Sequence, residues 1–408
     1  VILMDAVFIT NTRGLDPTSN QDDRKLVYRD FYNWDKSTFQ PPEIYSWQDI
    51  NLVYDGFNVN CRIMVIGSSA SDIVSKDGKV DTTKVRKAKK QIETTVEAAG
   101  KLGARVICFG ASTKRIAEHS VYHGKMPNNI TYSDGDTLTA SFAIKEIENN
   151  AKKCGIDLNS TQTKIAIIGA YGIIGGALSE YFSQKYSCNL KLVGPNPERL
   201  KTLYDSLNFK ANIELLKDVS EIKENLHLVV TATNHPNSLL TKKLLMSWGV
   251  PIVCDIAQPR NISRKTCKDL RNELIAWEAC ILENPNMKYT RPYGMGLDIN
   301  GTKGKIRALL KIQSHRAFAC VVETMVLAMA QLLDPEEIKE KNFLGKINLK
   351  NIEPLMRLAE KYGFRSREAE SYGEKIIQSR FQCFAEKINI KHNNQKPQKI
   401  TLLNENEA

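Results

Sequence analysis

The chain has 408 residues, 42% of them apolar and 25% charged, enough for two or three domains with real cores. It holds no run of eighteen apolar residues, which argues against a helical membrane span, and the stretch Val1-Ile2-Leu3-Met4-Asp5 lacks the basic region of a secretory signal. Nine scattered cysteines, none at CxxC spacing, argue against a disulfide framework or a metal site and suit a reducing cytoplasm, while the net charge of +11 suits either a solvated lysine-rich surface or an acidic partner.

In chain order, the opening stretch gives weak signals. Arg62 to Gly67 and Arg105 to Gly110 then predict buried strands that end in glycine, with a long Lys- and Ala-rich helix between them from Thr82 to Leu102. After the loop Cys154 to Ser160 the alternation becomes regular. Strands are predicted at Lys164 to Gly169, Leu190 to Gly194, Ile213 to Leu216, Leu226 to Ala232 and Pro251 to Asp255, with helices at Ile173 to Tyr186 and Pro197 to Leu207. Such alternation calls for a parallel sheet with right-handed crossovers. From Lys305 onward the pattern is helical, at Ile312 to Leu333, Ile352 to Tyr362 and Arg367 to Lys387.

The expected architecture is therefore α/β: a central doubly wound parallel sheet of the Rossmann type, an N-terminal α/β domain and C-terminal helices. The expected limits are 1–155 for the N-terminal, substrate-side domain and 156–300 for the dinucleotide-binding domain. A helical region over 301–388 and a polar, disordered tail over 389–408 complete the chain.

The segment Ile165-Ala166-Ile167-Ile168-Gly169-Ala170-Tyr171-Gly172-Ile173-Ile174-Gly175-Gly176 is the strongest local signal. It ends a strand and opens a helix. Gly169 allows the tight turn, Gly172 lets backbone approach a pyrophosphate, and Gly175 lets the helix lie close to the sheet, with Tyr171, Ile173 and Ile174 completing the loop. The next strand ends Leu192-Val193-Gly194-Pro195-Asn196-Pro197-Glu198-Arg199 with no acid at its tip to hold a ribose 2′-hydroxyl. Asn196 and Arg199 are instead placed to meet a 2′-phosphate, which favours NADPH. Thr231-Ala232-Thr233-Asn234 ends the fourth strand, and Ala232 and Thr233 are expected to face the nicotinamide ribose.

Cys320, in Arg316-Ala317-Phe318-Ala319-Cys320-Val321-Val322-Glu323-Thr324-Met325, is the most interesting side chain for covalent chemistry. On a helix, Arg316 and Glu323 would share its face with opposite effects on its acidity, and spacing alone equally fits a small core residue.

The order and wording of these segments resembles the cyanobacterial-type long-chain acyl-[acyl-carrier-protein] reductases. Phe318, Ala319, Cys320, Glu323 and Met325 match their Phe-Ala-Cys-x-x-Glu-x-Met helix, and Gly135, Thr137, Thr139 and Ala140 match a run before the linker. Gly155-Ile156-Asp157, the glycine turn, Asn196 to Leu200 and Lys361-Tyr362-Gly363-Phe364 follow in the same order. The resemblance implies that Cys320 accepts an acyl chain as a thioester, that NADPH reduces it to an aldehyde, and that Glu323 handles a proton, with Asp136 and Thr139 at the substrate. It implies an acidic acyl carrier protein or coenzyme A as acyl donor and a downstream enzyme that consumes the aldehyde. The chain departs from that family in having Gly194-Pro195 for Ala-Arg, Gly135-Asp136 for Gly-Asn and His315 for Arg.

Two other hydride enzymes compete. Asp255-Ile256-Ala257-Gln258-Pro259-Arg260 resembles a strand end of glutamyl-tRNA reductase, whose nucleophile lies in its N-terminal domain, where Cys61 and Cys108 stand here. A shikimate-dehydrogenase-like enzyme is the other, although the sequence shows no matching Lys-Asp catalytic pair. A dinucleotide sensor or nucleic-acid binder without chemistry is allowed by the charge but not favoured, since no nucleic-acid-binding motif occurs.

Overall fold

The computed structural model describes residues 3–12, 15–16, 21–22, 44–73, 81–122, 124, 126–208, 212–235, 237–258, 260–290, 315–340 and 342–394. Two sheets organise them. The first has seven strands, in the order Met287–Thr290, Ile44–Tyr54, Phe57–Ser69, Ala6–Thr12, Val106–Phe109, Thr131–Ser133 and Asn342–Phe343. The inner strands run parallel, whereas Ile44–Tyr54 and Phe57–Ser69 form an antiparallel hairpin closed at Asp55-Gly56, both at positive φ.

Side chains alternate across this sheet with the period of two that a strand imposes. Val7, Ile9, Ile107 and Phe109 meet α1 (Thr82–Lys101), the expected Lys- and Ala-rich helix, and lie in one cluster with Ile116 of α2 (Thr113–Tyr122). Ala6, Phe8, Ile63, Val65 and Cys108 face the opposite way and join the core around α3 (Asp136–Lys153). Asp81 caps α1 by accepting from the Thr83 and Lys84 amides.

The second sheet has six strands, all parallel: Ile213–Leu216, Asn189–Val193, Lys164–Ile168, Leu228–Thr231, Ile252–Asp255 and Ala276–Glu278. With α4 (Ile173–Lys185) and α5 (Pro197–Ser206) on the crossovers, this is the doubly wound Rossmann order, 3-2-1-4-5-6. Ile165, Ile167, Leu228 and Val230 pack toward α3 and α4, while Ala166, Ile168, Val229 and Val253 pack toward Trp248 and Leu245. One apolar cluster therefore runs from the first sheet through α3 into the second.

The C-terminal part departs from a purely helical reading. Residues 305–314 lie outside the described residues, and Arg316–Phe318 is a strand, antiparallel to Ile281–Glu283. α6 (Ala319–Leu333) follows at once, since the alternating Arg-Ala-Phe can extend and the unbroken Ala-Cys-Val-Val-Glu-Thr-Met cannot stay in water. It packs on the first sheet and on α3, with α7 (Ile352–Lys361) beside it. Residues 367–377, expected as helix, carry a two-stranded hairpin at Glu370–Ser371 and Glu374–Lys375, because Tyr372-Gly373 takes positive φ. A helix occupies Gln378–Asn394, so 389–394 of the expected tail is helical, and 395–408 lies outside the described residues. Among the described residues no helix is long and apolar enough to cross a membrane.

Candidate functional site

The carboxyl edge of the second sheet is the frame of the site. Val193, Ile168, Thr231, Asp255 and Glu278 stand side by side in register and form its last row. The residues that follow them, including Gly169 and Ala232, line the edge where open parallel sheets bind ligands.

The glycine turn is built as its spacing predicts. At Gly169, φ +86°, a Cβ would come within 2.6 Å of the Ala232 carbonyl oxygen, and at Gly175 within 2.1 Å of the Gly169 oxygen. Only glycine fits either place. Gly172 starts α4 with no side-chain cap, so the first-turn amides are left for an anion. A Cβ there would meet nothing nearer than the Gly169 oxygen at 3.2 Å, so the space over Gly172 suits an approaching pyrophosphate. The cradle fits a dinucleotide.

Tyr171 reaches across to the second strand. Its ring lies against Gly194, where a Cβ would be 2.4 Å from it, its hydroxyl accepts from the Asn196 amide at 3.2 Å, and the Arg199 guanidinium stacks on it at 4.4 Å. Gly194 thus makes room for Tyr171. The Asn196 side chain caps α5 by accepting from the Arg199 amide at 3.0 Å through its oxygen, which leaves the amide nitrogen as its donor toward a 2′-phosphate. Arg199 is exposed and keeps its guanidinium at the strand tip. Ile173 and Ile174 open α4 half-buried. The Thr233 hydroxyl donates to Asn261 Oδ1 at 2.6 Å, and Asn261 Nδ2, fully buried, has no partner.

Cys320 stands at the far end of the same edge. The Ile256 amide bonds the Thr231 carbonyl, the Ala279 amide bonds the Asp255 carbonyl, and the Ala319 amide bonds the Cys280 carbonyl at 2.9 Å. The row of strand ends therefore leads through backbone hydrogen bonds to the residue before Cys320. Three strand spacings of about 4.8 Å each separate Ile168 from Glu278, a span of about 15 Å that an extended dinucleotide can cover.

Cys320, a half-buried residue, stands on the first turn of α6 with its thiol in a poorly solvated place. Gly135, at φ +72° and capping α3, touches it directly: a Cβ at 135 would lie 2.4 Å from the Cys320 Cβ. The first turns of two helices converge on one cysteine. Burial, and then the Asp136 carboxylate, push the thiol up to about 12, against Lys114 and the Val321 amide, which lower it.

Arg316 does not share a helical face with Cys320, because it sits in a strand. It pairs with Glu283 and Glu370, away from the sulfur. Glu323 is fully buried, accepts from Ser133 Oγ and, at 2.6 Å, from the Leu138 amide, and so caps α3 from a neighbouring helix. Burial raises it to about 7, opposed by both hydrogen bonds. The Thr139 hydroxyl bonds back to the Gly135 carbonyl at 2.7 Å, and its carbonyl accepts from Cys280 Sγ at 3.2 Å. Asp136 Oδ2 accepts from Lys114 Nζ at 2.5 Å, beside Cys320.

Lys114 is the residue that sequence reasoning missed. It and Asp136 are 22 residues apart on different helices, and only the fold supplies the Lys-Asp pair not found in the sequence. Gly110, which follows the strand Val106–Phe109 and opens the turn Ala111-Ser112-Thr113-Lys114, was the available signal. Cys61 and Cys108, the N-terminal alternatives for a nucleophile, are fully buried, and burial raises both thiols strongly. The concave surface lined by Arg271, Leu274, Ser379, Arg380 and Cys383 lies at the amino end of Ala276–Glu278, opposite the edge described above.

Comparison with known proteins bears on the dinucleotide-binding unit. The family model described as Shikimate / quinate 5-dehydrogenase matches residues 150–275. The aminotransferase PigE of Serratia sp. (strain ATCC 39006) is 26% identical over 284 residues, which cover 68% of this chain; the chain spans 30% of that protein's length. Among solved structures, quinate dehydrogenase of Corynebacterium glutamicum in complex with NAD is 14% identical, covers 66% of this chain and 87% of its own, and has a TM-score of 0.31. L-tryptophan dehydrogenase of Nostoc punctiforme is 9% identical, with coverages of 95% and 89% and a TM-score of 0.39. The segment matched by the family model is the unit around the second sheet, and the match supports an oxidoreductase that uses a nicotinamide dinucleotide.

Proposed function

We propose that the protein reduces an acyl thioester to an aldehyde with NADPH, through an acyl-enzyme on Cys320. The observation that carries this reading is the placement of Cys320, a half-buried residue, on the first turn of α6, at the end of the dinucleotide-binding edge.

In the first step the Cys320 sulfur bonds to the acyl carbon and the carrier's sulfur leaves with the thiol proton, so one thioester and one thiol replace another at little cost. The acyl carbon is then fixed beside the sheet edge, which makes the next step effectively unimolecular. Gly169, Tyr171, Gly172, Ile173, Ile174 and Gly175 would hold the dinucleotide, with Ala232 and Thr233 at its nicotinamide end; when bound it supplies a hydride. Arg199, exposed at a strand tip that has no acid, favours the 2′-phosphate of NADPH. Glu323 acts by holding α3 against α6. An acidic acyl carrier protein or coenzyme A is the acyl donor suited to the net charge of +11. The similarity to part of an aminotransferase supports an amine-forming consumer of the aldehyde.

A second reading rests on the family match and on the Lys114–Asp136 pair: a shikimate-dehydrogenase-like enzyme in which the pair exchanges a proton with a substrate hydroxyl during hydride transfer.

One experiment separates them. NADPH and an acyl-carrier or acyl-CoA thioester are supplied to the protein, with aldehyde trapping and intact-mass detection of the acyl-enzyme. Cys320→Ala is expected to lose both signals. Aldehyde formation by Cys320→Ala overturns the thioester reading, and turnover of a hydroxy acid that survives Cys320→Ala but not Lys114→Met supports the second.

A further inference from the structure

We propose that the Lys114–Asp136 ion pair governs the charge state of the Cys320 sulfur, with Lys114 as counter-ion of the thiolate and Asp136 as the charge that keeps the resting thiol neutral. This deepens, and rests on, the reading of Cys320 as acyl acceptor.

Three helices start at this point. Lys114 is the second residue of α2, Asp136 the first of α3 and Cys320 the second of α6. Gly135 presses on the Cys320 Cβ, the next residue is Asp136, and Lys114 Nζ lies 2.5 Å from its carboxylate. The Lys114 side chain is about a quarter exposed and that of Asp136 nearly closed off, so the pair reaches solvent on the lysine side.

Of the helix N-termini, the usual donors of positive potential, only the Val321 amide of α6 acts on the sulfur, and its neighbours are committed elsewhere. The Leu138 amide of α3 goes to Glu323, the Asp136 amide to Asp134 Oδ1 at 3.0 Å, and the Ala319 amide of α6 to Cys280. The groups whose charge acts on the sulfur are Asp136 at the start of α3, Glu323 on its own helix, Cys108 on Val106–Phe109, Cys280 after Ala276–Glu278, and Lys114, with Asp134 acting on Asp136 and Lys114. Lys114 is the cation in this set. Burial alone would discourage its charge, but Asp136 and Asp134 hold it protonated. While Asp136 keeps that ammonium, the thiol stays neutral and protected; a thiolate formed beside it can share the ammonium as its counter-charge.

The two partners therefore act with opposite sign. Alkylation of Cys320 by iodoacetamide, followed at peptide level across pH 6 to 10, reads the thiolate directly without any acyl substrate. Lys114→Met is expected to slow alkylation at neutral pH about tenfold, Lys114→Arg to restore it, and Asp136→Asn to speed it about tenfold. A purely structural role would loosen the site in both Lys114→Met and Asp136→Asn and speed alkylation in both. Unchanged rates, or shifts in the same direction, overturn the proposal. If the rates move as expected while Cys320→Ala still forms aldehyde, the ion pair's control of the thiol stands and the acyl-acceptor reading falls.

Discussion

Gly172 shows how finely a single residue can separate folding from binding. Its φ of −68° is open to any residue, and the nearest atom to a Cβ there, the Gly169 oxygen at 3.2 Å, is a tight contact relieved by a shift of a few tenths of an ångström. Gly169 and Gly175 have no such freedom, since their added carbons would strike backbone at 2.6 and 2.1 Å. Gly172→Ala is therefore expected to keep its melting temperature within about 2 °C while weakening dinucleotide binding about tenfold or more, because the methyl stands where the pyrophosphate must approach. Titration calorimetry with NADPH checks this. Cys320 makes the complementary point: the sequence offered a motif, but not its half-burial or its contact with Gly135.

At the scale of elements, α3 and α6 are tied through Glu323, which caps α3 in place of a residue of its own, since Gly135 has no side chain to do so. A carboxyl group raised by burial to about 7 from the ordinary 4.5 binds a proton in the folded state over that interval. Its contribution to stability is therefore fully present below about pH 4.5 and is lost as pH rises through 7. Glu146, also raised to about 7 by burial, works in the same direction. Glu323→Gln keeps an acceptor for the Leu138 amide and removes the titration. Between pH 5 and 8 the wild type is expected to lose about 2 kcal/mol more stability than the variant, measured as the change in urea midpoint. Equal losses in both proteins would place the pH dependence elsewhere.

The two large sheets share an apolar core, and a chain of largely buried charges ties the second of them to the small antiparallel sheet of Arg316–Phe318 and Ile281–Glu283. Arg316 pairs with Glu283 and Glu370, Arg367 with Glu370 and Glu278, and Arg260 with Glu278 while stacking on Tyr372 at 4.1 Å. This chain links the last strand of the second sheet to the strand that leads into α6. Removing one member leaves charges in a poorly solvated place with fewer partners. Glu370→Gln is expected to cost about 3 kcal/mol in urea unfolding, whereas breaking the exposed pair Lys375–Glu368 is expected to leave the urea midpoint unchanged.

By itself the amino-acid sequence determined five of the six strands of the second sheet, their strand–helix alternation, the glycine turn and α1, because hydrophobic period and glycine placement are local signals that read within a dozen residues. The sixth strand, Ala276–Glu278, is too short to show a period. Arg316 was misassigned for the same local reason: a short alternating stretch beside a long apolar run takes on the period of its neighbour until a partner strand, Ile281–Glu283, is available. The meeting of Lys114, Asp136, Glu323 and Cys320 was decided by tertiary structure alone. Their contacts join segments up to about two hundred residues apart, and no periodicity carries over such a distance. Only the packing of α2, α3 and α6 on one sheet brings those charges to one sulfur.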